Sequence, residues 1–163
     1  MTFRKIQPAD LDQIITLNNA EAPRVEPLTR DELEKILAVA SYVRVADLSG
    51  EIVGVIMSYH SSDQFDCAPA RWFRDRHDDF FYIDRIVVSE PRRRMGLGAA
   101  LYDDLAEFSQ RQETELLACN VSVRPRNEDA LAFHKKKGFK AVGEDAGEGT
   151  VSIMLTAPVV KPL

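Results

Sequence analysis

The first 60 residues alternate between helical and strand-like spacing of their apolar positions. Phe3 to Ile6 predicts a short strand, and Pro8 suits the first turn of a helix after it. A loop from Glu21 to Leu28 contains two prolines. Thr29 and Glu32 form a capping-box pattern, which predicts the start of a second helix.

A hairpin and a long excursion come next. Ser41 to Asp47 and Glu51 to His60 predict two antiparallel strands, joined by a turn at Leu48-Ser49-Gly50. Ser61 to Asp79 is charged and irregular, and loops of this length in a compact domain are usually functional or mobile. The segment is therefore either a substrate-facing lid or a solvated excursion.

The second half of the chain centres on a strand, a turn and a helix. Phe80 to Val88 predicts a buried strand, Ser89 to Met95 a short basic turn, and Gly98 to about Gln112 a helix. Leu116 to Val123 predicts a further strand. It should lie parallel to the first, because a helix connects the two.

The last elements are a capped helix and a hairpin. Arg124-Pro125-Arg126 should break the preceding strand, and Asn127 is a good N-cap for a helix that Gly138 ends. Phe139 to Glu144 and Thr150 to Thr156 predict the closing hairpin, with a glycine-rich turn between them. These elements predict an α+β fold with a mixed, mostly antiparallel sheet flanked by helices, in a single domain over residues 1–163.

Composition narrows the class of protein. A length of 163 residues, 45% hydrophobic and 29% charged, is typical of one globular domain. No apolar run approaches transmembrane length, and the start of the chain lacks the apolar core of a secretion signal, so we expect a cytoplasmic protein without a membrane partner. The net charge of −5 argues against a nucleic-acid partner.

Cysteine and histidine give no sign of a metal or a disulfide framework. Cys67 and Cys119 are the two cysteines, and Cys119 lies in an apolar strand where a reduced, buried thiol is expected. Without a Cys-x-x-Cys pair, and with three scattered histidines, we expect no metal site.

The stretch from Phe80 to Leu105 carries the pattern of an anion site. A strand leads into the glycines Gly96 and Gly98, which open a helix whose first amide groups lack helical partners. The three arginines Arg92 to Arg94 stand directly before the glycines. We expect this site to bind a ligand that carries several phosphates.

Two common glycine motifs do not fit this turn. A Walker P-loop needs Lys and Ser/Thr after its second glycine, where Ala99 and Ala100 stand. A dinucleotide fingerprint needs a small residue where Leu101 stands, and it should begin at the strand end without the intervening arginines.

A third motif fits. Arg93-Arg94-Met95-Gly96-Leu97-Gly98 resembles the Q/R-x-x-G-x-G/A signature of the GNAT superfamily of acetyl-CoA-dependent N-acetyltransferases, and it follows a strand end like the family's. The segment from Asn127 to Phe139 resembles the family's late helix, N-x-x-A-x-x-F-Y-x-x-x-G-F. The predicted element order is similar to the GNAT fold from end to end.

The resemblance implies a coenzyme A site. The pyrophosphate would lie on the backbone amides of the turn, with charge-assisted bonds from its arginines. The residues that the resemblance assigns to coenzyme A are Ile86, Val87, Val88, Arg93, Arg94, Met95, Gly96, Leu97, Gly98, Ala99, Asn127, Ala130, Phe133 and His134. It implies no metal.

The resemblance also implies where the acyl chain lies. The strand ending at Val88 and the next strand should splay apart, so that the pantetheine arm pairs with the strand backbone near Val87 and Val88. The amide of Val88 is then a candidate catalytic donor to the thioester oxygen.

Three side chains are candidates on the acceptor side. Asp84 is a carboxylate in an apolar strand, either the base that deprotonates the ammonium or an ion-pair partner of Arg85 that holds the sheet together. Tyr82 lies on the same face of the strand as Asp84, and Tyr59 ends an earlier strand; both are candidate substrate contacts.

His134 departs from the family pattern. The family has a tyrosine at this position, which protonates the leaving thiolate, and imidazole could donate a proton in its place. Asn127, Ala130 and His134 share a helix face, so His134 should point toward coenzyme A. Asn127 would both cap the helix and contact the cofactor.

The expected function is transfer of an acetyl group from acetyl-CoA to a primary amine, by direct attack in a ternary complex. A small-molecule amine is favoured as acceptor because the chain shows no accessory substrate module. A protein amino group and a non-catalytic acyl-CoA sensor are the alternatives. A homodimer is an option implied by the resemblance.

Overall fold

The computed structural model describes residues 1–123, 126–146 and 151–159. Its strands are β1 (Thr2–Arg4), β2 (Tyr42–Leu48), β3 (Glu51–His60), β4 (Phe81–Val88), β5 (Leu116–Ser122), β6 (Lys140–Asp145) and β7 (Ser152–Pro158). Its α-helices are α1 (Leu11–Asn19), α2 (Arg30–Val39), α3 (Ala68–Arg74), α4 (Leu97–Arg111) and α5 (Glu128–Lys136). The predicted break at Arg124-Pro125 and the predicted glycine-rich turn at 147–150 lie outside the described residues.

The strands form a mixed sheet, as the α+β prediction required. The strand order is β1-β2-β3-β4-β5-β7-β6. β4 and β5 are parallel, with Phe81 opposite Leu117 and Tyr82 opposite Ala118. The pairs β1–β2, β2–β3, β5–β7 and β6–β7 are antiparallel. Both predicted hairpins and the predicted parallel crossover are therefore confirmed.

Contacts within the chain group it into two units. The first comprises Met1–Tyr59 and Ile83–Leu105, and the second comprises His60–Tyr82 and Ala106–Leu163. Each unit has its own buried apolar residues, and each is described by itself below. The expectation of a single domain stays a prediction.

Local sequence signals set the elements of the first unit. The Thr29 hydroxyl accepts from the Glu32 amide and the Glu32 carboxylate accepts from the Thr29 amide, so the predicted capping box is confirmed at the start of α2. The turn between β2 and β3 has positive φ at Ser49 and Gly50. The core of this unit lies between the two helices and the hairpin; its buried members are Leu11, Ile14, Leu28, Leu33, Val43, Val45, Ile52, Val55, Met57 and Val87.

An ion-pair group ties the first strand of this unit to the start of α1. Arg4 donates to both carboxylate oxygens of Asp10, at 2.7 and 2.9 Å, and to Asp47 at 2.8 Å. The Gln7 amide also donates to Asp10, whose side chain is 6% exposed. The hydrogen bonds from Arg4 hold the pKa of the Asp10 carboxyl below its usual range.

This ion-pair group should make the free energy of unfolding fall at acidic pH. Because the folded pKa of Asp10 is depressed, its contribution is present above the unfolded pKa of about 3.9 and is lost as pH falls through the folded pKa. We expect Asp10→Asn to lower the free energy of unfolding by about 2 kcal/mol at pH 7. As pH falls below about 4, the variant should lose less stability than the wild type does. Urea unfolding across this range measures both, and parallel pH profiles would contradict the assignment.

The second unit contains a helix that the sequence analysis missed. The segment from Ser61 to Asp79 was expected to be irregular, but it forms α3, and its Phe73 is fully buried. Arg74 donates to the carbonyl oxygens of Ser61, Asp63 and Phe65, at 2.9 to 3.2 Å. These bonds join a side chain to backbone 9 to 13 positions earlier, so they do not show in a helical or strand-like pattern. The segment is therefore a packed part of its unit and not a solvated excursion.

Gly143 of β6 lies against the helix that the prediction missed. A Cβ on Gly143 would stand 2.5 and 2.9 Å from two ring carbons of Trp72. The guanidinium of Arg76 covers that ring at 3.6 Å from its centroid, and Phe73 meets it edge-on at 5.1 Å. The ring is held on two sides, so it cannot swing away at low cost.

We expect Gly143→Ala to destabilise the protein by about 1–3 kcal/mol through overpacking. The free energy of unfolding in urea measures the loss. The same substitution in a Trp72→Leu background should cost less than half as much, since the clashing ring is gone. Equal losses in both backgrounds would show that the Trp72 contact is not the cause.

Candidate active site

The predicted turn lies in the first unit together with the end of β4 and the start of α4, and its backbone is unusual. After β4, the Ser89 amide donates to Val53 O at 2.9 Å, and residues Glu90–Arg92 form one turn of 3-10 helix. Arg94 and Gly96 then have φ of 62° and 79°. Gly96 adopts this left-handed conformation without a steric penalty, whereas Arg94 adopts it with a side chain.

Gly96 is the last residue of the turn and directly precedes α4. The Ala100 amide donates to Gly96 O at 3.0 Å, which is the first helical bond. By helix geometry the amides of Leu97, Gly98 and Ala99 have no partner within the helix, and they point out of its positive end. A Cβ on Gly96 would meet nothing within 4 Å, so the space before the helix is open. These features fit a bound phosphate group.

Packing holds α4 in this position. A Cβ on Gly54 of β3 would lie 3.3 to 3.4 Å from the side chains of Leu101, Ala46 and Leu97. The helix therefore approaches the strand as closely as a glycine permits. Leu101, which counted against a dinucleotide fingerprint, packs here against a glycine of another strand. The sequence analysis assigned no role to Gly54.

The arginines before the glycines differ in their surroundings. Arg93 forms an ion pair with Glu21, and its Nε lies 3.4 Å from Val88 O. Arg94 is exposed, as is Met95, an uncommon position for a large apolar side chain. Arg93, Arg94 and Met95 are all predicted cofactor contacts. The sequence did not predict the acidic partner of Arg93.

Asp84 forms an ion pair with Arg85. This pair is one of the two roles that the sequence predicted for Asp84, the other being a catalytic base. Arg85 Nε donates to Asp84 Oδ2 at 2.7 Å, and both side chains are largely buried. Arg85 also donates to Asn18 Oδ1 at 3.0 Å and to Glu26 O at 3.1 Å. The carboxylate thus lies in a network that joins β4 to the loop after α1. Of the other predicted residues of this strand, Val87 is buried, while Ile86 and Val88 are half-buried.

Tyr59 and Tyr82 are buried residues of their respective units. Tyr59, near the end of β3, is 5% exposed. In the second unit, Tyr82 donates to Asn120 Oδ1 at 2.5 Å, and Asn120 donates to Ser152 Oγ at 3.2 Å. The ring of Tyr82 stacks on Phe65 at 6.1 Å. The sequence analysis missed Asn120, although an amide in an otherwise apolar strand is a signal that could have found it.

The late helix of the second unit begins as predicted. The Ala130 amide donates to Asn127 Oδ1 at 3.1 Å, so Asn127 is the N-cap of α5. Gly138, with φ of 87°, follows the end of the helix. Phe133 is half-buried, whereas His134 is only 7% exposed.

His134 is packed between aromatic rings. Phe133 and Phe139 meet the imidazole edge-on at 5.4 and 5.2 Å. Its Nδ1 lies 2.6 Å from Ala130 O. Because a carbonyl oxygen can only accept, Nδ1 carries the hydrogen of this bond. Burial lowers the pKa of His134, although the bond to Ala130 opposes this. The ring is therefore neutral at pH 7, with its hydrogen already donated.

Comparison with known proteins decides the family. The model of the acetyltransferase (GNAT) family matches residues 11–139 of this chain. The chain belongs to the GNAT family of acetyltransferases. It is accordingly an acyl-CoA-dependent N-acetyltransferase, as the glycine turn and the late helix predicted.

Solved structures show the same fold. Ard1 from Thermoplasma volcanium is 20% identical, with a TM-score of 0.79 over 98% of both chains. Naa20 of Chaetomium thermophilum, solved with a bisubstrate analogue, is 21% identical, with a TM-score of 0.74 over 97% of this chain and 86% of that one. The ribosomal-protein-S18-alanine N-acetyltransferase of Escherichia coli is 14% identical, with a TM-score of 0.73 over 99% and 96%. No curated protein matches the sequence significantly.

The described part of this GNAT chain shows neither a metal-binding cluster nor a membrane-spanning helix. Residues 1–123, 126–146 and 151–159 contain no group of three or more His, Cys, Asp or Glu side chains that could hold a metal ion. None of the helices in those ranges has the length and apolar character to cross a membrane.

Proposed function

We propose that this GNAT enzyme transfers the acetyl group of acetyl-CoA to a primary amine, with a small-molecule amine as the first candidate acceptor. The observation that carries the proposal is the turn before α4, where left-handed Gly96 leaves open space at the helix start. Residues Arg93 to Gly98 would hold the pyrophosphate. The Ile86 to Val88 backbone would pair with the pantetheine arm as an added strand does.

The proposed reaction is a direct attack. The amine nitrogen bonds to the thioester carbon, the carbon–sulfur bond breaks, and the thiolate of coenzyme A leaves. The acylated nitrogen then loses a proton, which passes directly or through water to that thiolate. The Val88 amide is placed at the end of β4, where it would donate to the thioester oxygen as negative charge develops there. An alkylammonium has a pKa near ~10, so it must lose a proton before it attacks. Asp84 is our proposed acceptor of that proton, directly or through water.

We assign His134 a packing role in place of the predicted proton donor. A neutral imidazole whose hydrogen is donated to Ala130 has no hydrogen ready for a thiolate. We therefore expect His134→Gln to change kcat by less than about 10-fold, below the 10²–10⁴-fold that a general acid contributes. Steady-state CoA release measures this. A loss of 100-fold or more without unfolding would restore the catalytic role, on the scale of general acid catalysis.

A protein amino group is the second candidate acceptor. One solved protein of the same fold is named for such an activity: the ribosomal-protein-S18-alanine N-acetyltransferase. It is 14% identical to this chain, so it supports this acceptor class without deciding it.

The test combines binding with turnover. Calorimetric titration with coenzyme A measures donor binding, and a thiol reagent detects CoA release with a panel of small amines and of peptides with free N-termini. Release with small amines supports the first candidate, and release with peptides alone supports the second. Tight acetyl-CoA binding without release from any acceptor would favour an acyl-CoA sensor. Absence of CoA binding would overturn the proposal.

A further inference from the structure

The ion pair between Glu21 and Arg93 joins two segments with different tasks. Arg93 lies in the turn that would hold the pyrophosphate, and Glu21 begins the loop between α1 and α2. The Glu21 side chain is largely shielded from solvent, with an exposed fraction of 17%, and the Arg93 side chain is partly exposed, at 36%. A partly shielded ion pair is screened less by salt than an exposed one.

Arg93 also places this carboxylate beside the end of β4. The same guanidinium that binds Glu21 has its Nε 3.4 Å from Val88 O. The Arg93 guanidinium therefore lies between Glu21 and Val88, the residue whose amide is the proposed donor to the thioester oxygen. An acidic side chain at this position is next to the proposed site of chemistry.

The loop after Glu21 is held by other bonds. The Asn19 side chain accepts from the Leu28 amide at 2.8 Å and donates to Leu28 O at 3.0 Å. Asn18 and Arg85 both donate to Glu26 O, at 2.9 and 3.1 Å. The position of the loop does not depend on the Arg93 ion pair alone. If Arg93 let go, the Glu21 backbone would keep its place, because its amide donates to Asn18 O at 3.1 Å and its carbonyl oxygen accepts from the Arg24 amide at 2.9 Å.

We propose that Glu21 binds the ammonium group of the acceptor, and that Arg93 occupies this carboxylate until acetyl-CoA arrives. This inference rests on the proposed function. The pyrophosphate offers Arg93 two phosphates in place of one carboxylate, and arginine binds phosphate oxygens through paired hydrogen bonds. Release of Arg93 leaves a shielded negative charge, which a cationic amine can neutralise.

The exchange couples the two substrates. Acetyl-CoA and the acceptor both favour the state in which Glu21 and Arg93 are apart, so each strengthens the binding of the other by the same factor. The enzyme would bind a cationic acceptor weakly before the donor is present.

The first test measures coenzyme A affinity by calorimetry. Glu21→Gln should bind coenzyme A about 5-fold more tightly than the wild type. In this variant no ion pair between Arg93 and residue 21 has to break before Arg93 binds the pyrophosphate. Glu26→Gln is the matched control, since it removes the same charge from an exposed position of the same loop. In an Arg93→Gln background the effect of Glu21→Gln should disappear.

The second test measures CoA release with two probe acceptors, n-butylamine, which is an ammonium ion at neutral pH, and hydroxylamine, which is neutral. Glu21→Gln should raise the KM for n-butylamine about 10-fold and leave that for hydroxylamine within about 2-fold. Equal effects on both probes, or no release with n-butylamine from a wild-type enzyme that binds coenzyme A, would overturn the acceptor role.

The outcomes separate this inference from the function it rests on. If coenzyme A does not bind the wild type, the proposed function fails. If it binds and Glu21→Gln leaves its affinity unchanged or weakens it, or if Glu26→Gln strengthens it equally, the exchange at Arg93 is wrong and the proposed function stands.

Discussion

A Gly96→Glu enzyme is expected to bind coenzyme A at least about 100-fold more weakly than the wild type, or about 2.8 kcal/mol. The open space before α4 would receive a carboxylate, which is itself a good ligand for the amides at a helix start. That carboxylate would compete for the phosphate position and repel the pyrophosphate. Calorimetric titration with coenzyme A measures the loss.

Gly50 provides a matched control for this variant. Gly50 also has a positive φ, of 95°, and a Cβ there would likewise meet nothing within 4 Å. Gly50→Glu therefore imposes similar backbone strain, on the order of 1–2 kcal/mol, in the β2–β3 turn. It should lower stability without changing coenzyme A affinity. Comparable loss of affinity in both variants would mean that strain, and not occupation of the phosphate site, is responsible.

An Asp84→Asn enzyme is expected to lose about 100-fold in kcat, within the range of general base catalysis. Its affinity for coenzyme A should be unchanged, because Asp84 is not among the proposed phosphate contacts. The deficit should shrink as pH rises toward the amine pKa of about 10, where neutral amine becomes abundant without a base. Steady-state CoA release across pH, with an acceptor from the panel, measures both effects.

Arg85→Met distinguishes chemistry from architecture at this position. It breaks the same ion pair but leaves the carboxylate in place, and it also removes the bonds to Asn18 and Glu26. If Asp84 acts as a base, Arg85→Met should lower stability more than it lowers kcat. If Asp84 only holds Arg85, both variants should lose kcat alike and the deficits should not depend on pH.

Several features could be predicted because their cause is local. The capping box at Thr29 and Glu32, the N-cap at Asn127 and the glycine that ends α5 each act within one turn of chain. The same holds for the turn before α4, where the spacing of arginine and glycines decides the backbone. The family and its donor could be recognised from these short segments.

Other features depend on which side chains meet in the folded chain. α3 was missed because Arg74 and a buried Phe73 hold its segment, and neither produces a periodic pattern. The sequence left Asp84 with two readings, and the structure supplies the ion pair with Arg85 that one of them required. The aromatic surroundings of His134 likewise come from residues on both sides of a turn.

The sequence alone thus identified an acetyl-CoA-dependent GNAT enzyme, since amides at a helix start and a left-handed glycine are properties of a few consecutive residues. It did not identify those partners of its charged side chains that stand far away in the chain. Glu21 and Arg93 are 72 positions apart, and Asn18 and Arg85 are 67 apart. Only the folded chain brings such groups within hydrogen-bonding distance. The type and position of a charged residue in the sequence do not show which distant residue of opposite charge it will contact.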